Sequence, residues 1–120
     1  MLSQLDPLLG QAGELDVRLQ VTGDPRLLPP GLELSGYRIV EHLLNTLEKN
    51  PTAQARVEVI FGVDALEFKV VGASVRESTA RPALAAATER ARLHGGTLRS
   101  LTRDGLRETL VLIPLAAGPV

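Results

Sequence analysis

The chain has 120 residues, 44% of them apolar and 22% charged, and a formal net charge of −1. That length suits one domain with a real core, and a near-zero charge excludes a global field that would draw in nucleic acid or an acidic membrane surface. Cysteine is absent, which rules out a disulfide framework, a thiolate metal site and a cysteine nucleophile. Tyr37, Phe61 and Phe68 are the only aromatics, so the core must come from Leu, Val, Ile and Ala. No apolar run approaches the ~20 residues of a membrane span. Met1–Asp6 lacks the basic start and apolar stretch of a signal peptide. A single cytoplasmic-type domain without membrane contact is expected.

Residues 2–12 carry Leu2, Leu5, Leu8 and Leu9 at helical spacing, interrupted by Pro7, which reads as a short N-terminal helix or linker over 1–14. Leu15, Val17, Leu19 and Val21 alternate with Asp16, Arg18 and Gln20, the pattern of a half-buried strand. Gly23-Asp24-Pro25 stops it, and Leu27–Gly31 is a stiff connection. Leu34, Tyr37, Ile39, Val40, Leu43, Leu44 and Leu47 form a wide apolar stripe that predicts a helix over 33–49, halted by Asn50-Pro51. Ala55–Phe61 and Leu66–Val70 alternate as two strands around a Gly62-Val63-Asp64 turn. Residues 72–82 lack periodicity and read as a loop. A second helix over 83–94 ends at Gly95-Gly96. Strands 97–102 and 106–114 flank Arg103-Asp104-Gly105. Consecutive Val111, Leu112 and Ile113 suggest cover on both faces of the last strand. Residues 116–120 read as a frayed tail.

This order describes an α/β (α+β) two-layer sandwich: a mixed five-stranded sheet with its helices on one face. The whole of 1–120 makes one domain.

Five segments resemble the ATPase domain of nitrate-sensor-type bacterial histidine kinases. Leu34-Ser35-Gly36-Tyr37-Arg38-Ile39-Val40 is similar to the segment opening the family's N-box helix. Ala55–Val59 with Asp64–Phe68 looks like the hairpin that follows it. Glu89-Arg90 and Leu93-His94-Gly95-Gly96-Thr97-Leu98 resemble the segment after the glycine-rich lid. Leu15-Asp16-Val17 and Leu28-Pro29-Pro30-Gly31 match the run-in. The resemblance spans roughly residues 13–115 and implies the GHKL ATPase fold, with the loop over 72–82 lid-like. It also implies a partner: a separate dimerising helical domain bearing the phosphoacceptor histidine, and beyond it a response regulator. Neither His42 nor His94 stands in a phosphoacceptor context. The implied setting is cytoplasmic, or the cytoplasmic part of a membrane-bound sensor.

Phosphoryl transfer needs a metal on the phosphates, a residue to hold it, and a grip on the base. The resemblance implies an N-box Glu as general base and, four residues on, an Asn that ligates Mg²⁺. Glu41 and Asn45 have that spacing. Counted from Tyr37–Val40 without a gap, the same roles fall on His42 and Thr46; counted back from Ala55-Arg56-Val57 they fall on Glu41 and Asn45. A deletion inside the helix would rotate the rest by ~100°, and the unbroken stripe favours the first register. The plainer reading makes Glu41 and Asn45 solvated helix positions and His42 a hydrogen-bonded histidine. The family's adenine-binding Asp has no counterpart at Gly72-Ala73-Ser74. Ala83-Leu84-Ala85-Ala86 stands where glycines would admit phosphate to a helix N-terminus. Arg76, Arg81, Arg90 and Arg92 read first as surface charge, and His94 suits a helix C-terminus.

The expected function is therefore an ATP-binding domain of a sensor histidine kinase with a degenerate site, acting as a signalling or interaction module without a cofactor. The alternatives are a working Mg-ATP-binding kinase domain with a variant N-box, and an unrelated α/β binding scaffold.

Overall fold

The computed structural model describes residues 15–50 and 52–115. The expected helix or linker over 1–14 and the tail over 116–120 lie outside them. Seven elements follow in order: β1 (Asp16–Gly23), α1 (Leu32–Leu44), β2 (Gln54–Phe61), β3 (Ala65–Ala73), α2 (Glu77–Arg92), β4 (Thr97–Arg103) and β5 (Leu106–Pro114). They build one sheet in the order β1-β2-β3-β5-β4. β1 and β2 run parallel and every other pair is antiparallel. A parallel pair cannot be closed by a hairpin, and α1 supplies the crossover.

Side chains alternate across a strand, so the register identifies the covered face. Val57 lies opposite Val70 and Val59 opposite Phe68. Phe68 in turn faces Val111, and Leu66 faces Ile113. All are buried in one cluster with Ile39, Val40, Leu43 and Leu44 of α1 and Ala87 and Ala91 of α2. Both helices therefore cover the same face of the sheet, as the apolar stripes require. Each fully buried large side chain of this cluster contributes roughly 1.5–3 kcal/mol. α2 turns only alanines fully inward, Ala80, Ala87 and Ala91, and their small volume lets it lie close to the sheet and to α1.

Four features differ from the sequence reading. α1 ends at Leu44 rather than 49. The amides of Thr46 and Leu47 turn back to the carbonyls of Leu43 and Leu44, and Leu47 then forms a β-bridge with Ser74. The expected last turn is exchanged for pairing with the end of β3. The stretch 72–82 is not a loop. Gly72 and Ala73 complete β3, and α2 begins at Glu77. Pro82, its sixth residue, removes only the bond to the Ser78 carbonyl; burial of Ala80 and an ion pair from Glu77 to Arg107 hold that first turn. Leu34, counted in the apolar stripe, is 49% exposed. Leu112, expected under cover, is 38% exposed on the outer face, so β5 is covered on one side only.

The turns match the residues that make them. Asp104 and Gly105 both have positive φ, 54° and 78°, which is what a two-residue hairpin with the right twist demands. Gly95, at φ 74°, ends α2 in the left-handed conformation typical after a helix.

Candidate functional site

Of Glu41 and Asn45, the first candidate pair, at the end of α1, Asn45 is exposed and Glu41 half-buried. Arg38 Nη1 donates to Glu41 Oε1 at 3.0 Å, and Lys49 Nζ donates to Asn45 Oδ1 at 2.6 Å. Asn45 caps the helix rather than continuing it. His42 is half-buried. Thr46 is 1% exposed and donates its hydroxyl to the Leu43 carbonyl at 2.6 Å. Of the two residues proposed for the metal position, Thr46 thus points into the fold and Asn45 away from it. Thr46 Oγ1 is committed to its own helix terminus. Among the described residues no three His, Cys, Asp or Glu side chains gather into a potential metal site.

The end of α1 runs beside the end of β3. The Val75 amide donates to the Thr46 carbonyl at 3.0 Å, and the Glu48 amide to the Ala73 carbonyl at 2.8 Å. Leu47 is packed over Gly72 so closely that a β-carbon there would stand 2.7 Å from Leu47 Cδ1. The two segments that the resemblance assigns to metal and base are therefore side by side, with Leu47 sealing the seam.

Arg107 fills the next position. Its Cα faces Gly72 across the β3–β5 ladder, it points to the covered face, and it is 2% exposed. Nε donates to Ser74 Oγ at 3.0 Å and Nη1 to Ser100 Oγ at 2.6 Å, while Nη2 pairs with the Glu77 carboxylate. Ser100 also bonds Thr109, itself buried, at 2.9 Å. Thr102 reaches Glu77 at 3.4 Å. This polar group underlies the first turn of α2. Sequence reasoning missed it, although its signal was present: Arg107, Thr109, Val111 and Ile113 share one parity of β5, so an arginine stands on the inward side.

The Ala83–Ala86 segment lies in the second and third turns of α2, not at a helix N-terminus. Its amides belong to the helix ladder and are not presented to a phosphate. Arg76, Arg81 and Arg92 are exposed and Arg90 is half-buried. His94 Nε2 shares a 2.8 Å hydrogen bond with Ser35 Oγ, so its position serves to join the two helices. No helix among the described residues is long and apolar enough to cross a membrane.

No protein-family model and no curated protein sequence matches the chain. Solved structures do. A mycobacterial sensor histidine kinase, MprB, superposes with a TM-score of 0.62 at 15% identity, covering 92% of this chain and 90% of that one. The Acinetobacter baumannii histidine kinase AdeS gives 0.65 at 12% identity, covering 96% of this chain and 61% of its own. The histidine kinase domain of a blue-light activated kinase from Erythrobacter litoralis gives 0.70 at 12%, covering 96% and 59%. The chain spans about three fifths of the length of these last two. The five-stranded mixed sheet with both helices on one face is the fold of histidine kinase catalytic (ATPase) domains.

Proposed function

We propose that this chain is the ATP-binding-type domain of a two-component sensor histidine kinase whose nucleotide site has degenerated. It acts by packing against its own dimerisation and phosphoacceptor helices, or against a partner such as a response regulator, in the cytoplasm. The observation that carries this reading is the connection between β3 and α2. Ser74, Val75 and Arg76 alone separate them, a span too short to fold over a bound nucleotide.

The groups that remain do not fit Mg-ATP. Gly72-Ala73-Ser74 offers no carboxylate for the adenine amino group, and one missing charged hydrogen bond is worth ~1.5–3 kcal/mol, roughly 10- to 150-fold in affinity. Thr46 is 1% exposed, its hydroxyl turned into the fold toward the Leu43 carbonyl, which leaves magnesium a poor ligand there. Glu77 and Arg107 occupy the space under the start of α2. Losses at the base, the metal and the phosphates coincide, so no single anchor compensates.

Calorimetry with Mg-ATP at millimolar concentration tests this. The expected result is no saturable heat. Saturable binding tighter than ~100 μM, lost on substituting His42 or Glu41, would instead establish a variant active site.

A further inference from the structure

Arg107 is a buried cation whose counter-charge comes from an exposed residue. Its own side chain is 2% exposed, while that of Glu77 is 61% exposed. Two of its three nitrogens are satisfied by neutral hydroxyls, Ser74 Oγ and Ser100 Oγ. The third, Nη2, reaches outward to the Glu77 carboxylate. The guanidinium is thus held in place by neutral hydroxyls at Nε and Nη1, and Nη2 is its one nitrogen given to an oxyanion, here a carboxylate from a largely exposed residue. An unpaired buried charge is strongly disfavoured, so something anionic must sit there.

We propose that Arg107, held by Ser74 and Ser100, is an oxyanion-binding site whose resident ligand is the chain's own Glu77 carboxylate. A carboxylate or phosphate group from outside the chain takes that place when Glu77 turns into solvent. Glu77 is suited to yielding. It lies in the first turn of α2, it is largely hydrated, and its other contact is a long 3.4 Å bond from exposed Thr102. Releasing it regains side-chain entropy and full hydration, whereas Arg107 cannot follow it into water without leaving the sheet face. The hydroxyls of Ser100 and Thr109, coupled at 2.9 Å, keep the floor of the site polar when the ligand changes. The site stands whether or not the nucleotide pocket has degenerated, and its test contains no nucleotide.

The experiment uses the whole chain as Glu77→Ala and Glu77→Gln, melted in sodium chloride, acetate and phosphate at matched ionic strength. The double variant Glu77→Ala/Arg107→Met reports the general stabilisation that phosphate gives any protein. At phosphate or acetate about ten times its dissociation constant, the folding constant of Glu77→Ala should rise about elevenfold, a Tm increase on the order of 5 °C for a domain of this size. Glu77→Gln should respond in the same direction, and the double variant should not exceed its chloride baseline beyond the general salt effect. The wild-type chain should need higher anion concentrations, because Glu77 competes. If Glu77→Ala does not fold in chloride, recovery of the native circular dichroism spectrum on adding phosphate is the supporting result. Equal responses in single and double variants overturn the proposal. So does the absence of any anion response in both Glu77 variants, or failure of both to fold in every salt.

Discussion

Ser35 Oγ and His94 Nε2 stand 2.8 Å apart although 59 residues separate them in sequence. The bond ties the start of α1 to the exit of α2 and fixes how the two helices lie on the sheet. Ser35 is buried, so removing its hydroxyl leaves the imidazole nitrogen poorly satisfied. Ser35→Ala should destabilise the chain by about 1 kcal/mol, measured by urea denaturation. In a double-mutant cycle with His94→Ala the two losses should fail to add.

Leu44 closes α1 against the sheet and is 2% exposed. Leu44→Ala removes its methyls and leaves a cavity that the packed neighbours only partly fill. The expected loss is roughly 2–5 kcal/mol. A chemical-denaturation loss below ~1 kcal/mol would contradict the assigned helix face.

Gly96 and Gly105 should respond differently to the same substitution. A β-carbon at Gly96 would stand 2.6 Å from the Leu112 carbonyl oxygen and 3.1 Å from that of Ala91, backbone atoms that cannot turn aside. Gly105 has open space around it and only a positive φ of 78°. Gly105→Ala should therefore cost about 1–2 kcal/mol, the left-handed penalty alone. Gly96→Ala should cost more, above roughly 2 kcal/mol, because overpacking displaces a strand. Thermal melts of the two variants side by side check the order.

The Arg107–Glu77 pair should be asymmetric. Arg107→Met leaves an exposed carboxylate that water can solvate and fills the covered face with a side chain of similar reach. Glu77→Ala leaves the cation behind. Losing one partner of a buried pair costs roughly 3–5 kcal/mol because the stranded charge is buried, a penalty that falls on Arg107 and not on Glu77, whose side chain is 61% exposed. In chloride buffer, denaturation should rank Glu77→Ala well below Arg107→Met. The reverse order would show that Arg107 finds water more easily than its burial suggests.

Local pattern alone determined much of this molecule. The alternation in 55–61 and 66–70, the stripe through Ile39, Val40, Leu43 and Leu44, and the turns at Asp104-Gly105 and Gly95-Gly96 each encode their conformation in neighbouring residues. Burial and backbone sterics act at short range, so the two-layer sheet with helices on one face is legible in the sequence. Four outcomes required the tertiary structure, because their causes lie far along the chain. α1 stops at Leu44 since Leu47 pairs with Ser74. The aperiodic 77–82 becomes helix with Ala80 buried against the fold and Glu77 paired to Arg107. The opposite placement of Asn45 and Thr46, one exposed and one buried, rests on which way a helix end faces the sheet. The Arg107 cluster joins side chains from α2, β4, β5 and the end of β3 that no sequence window contains together, and only the ladder that sets Arg107 opposite Gly72 brings those hydroxyls and that carboxylate to one guanidinium.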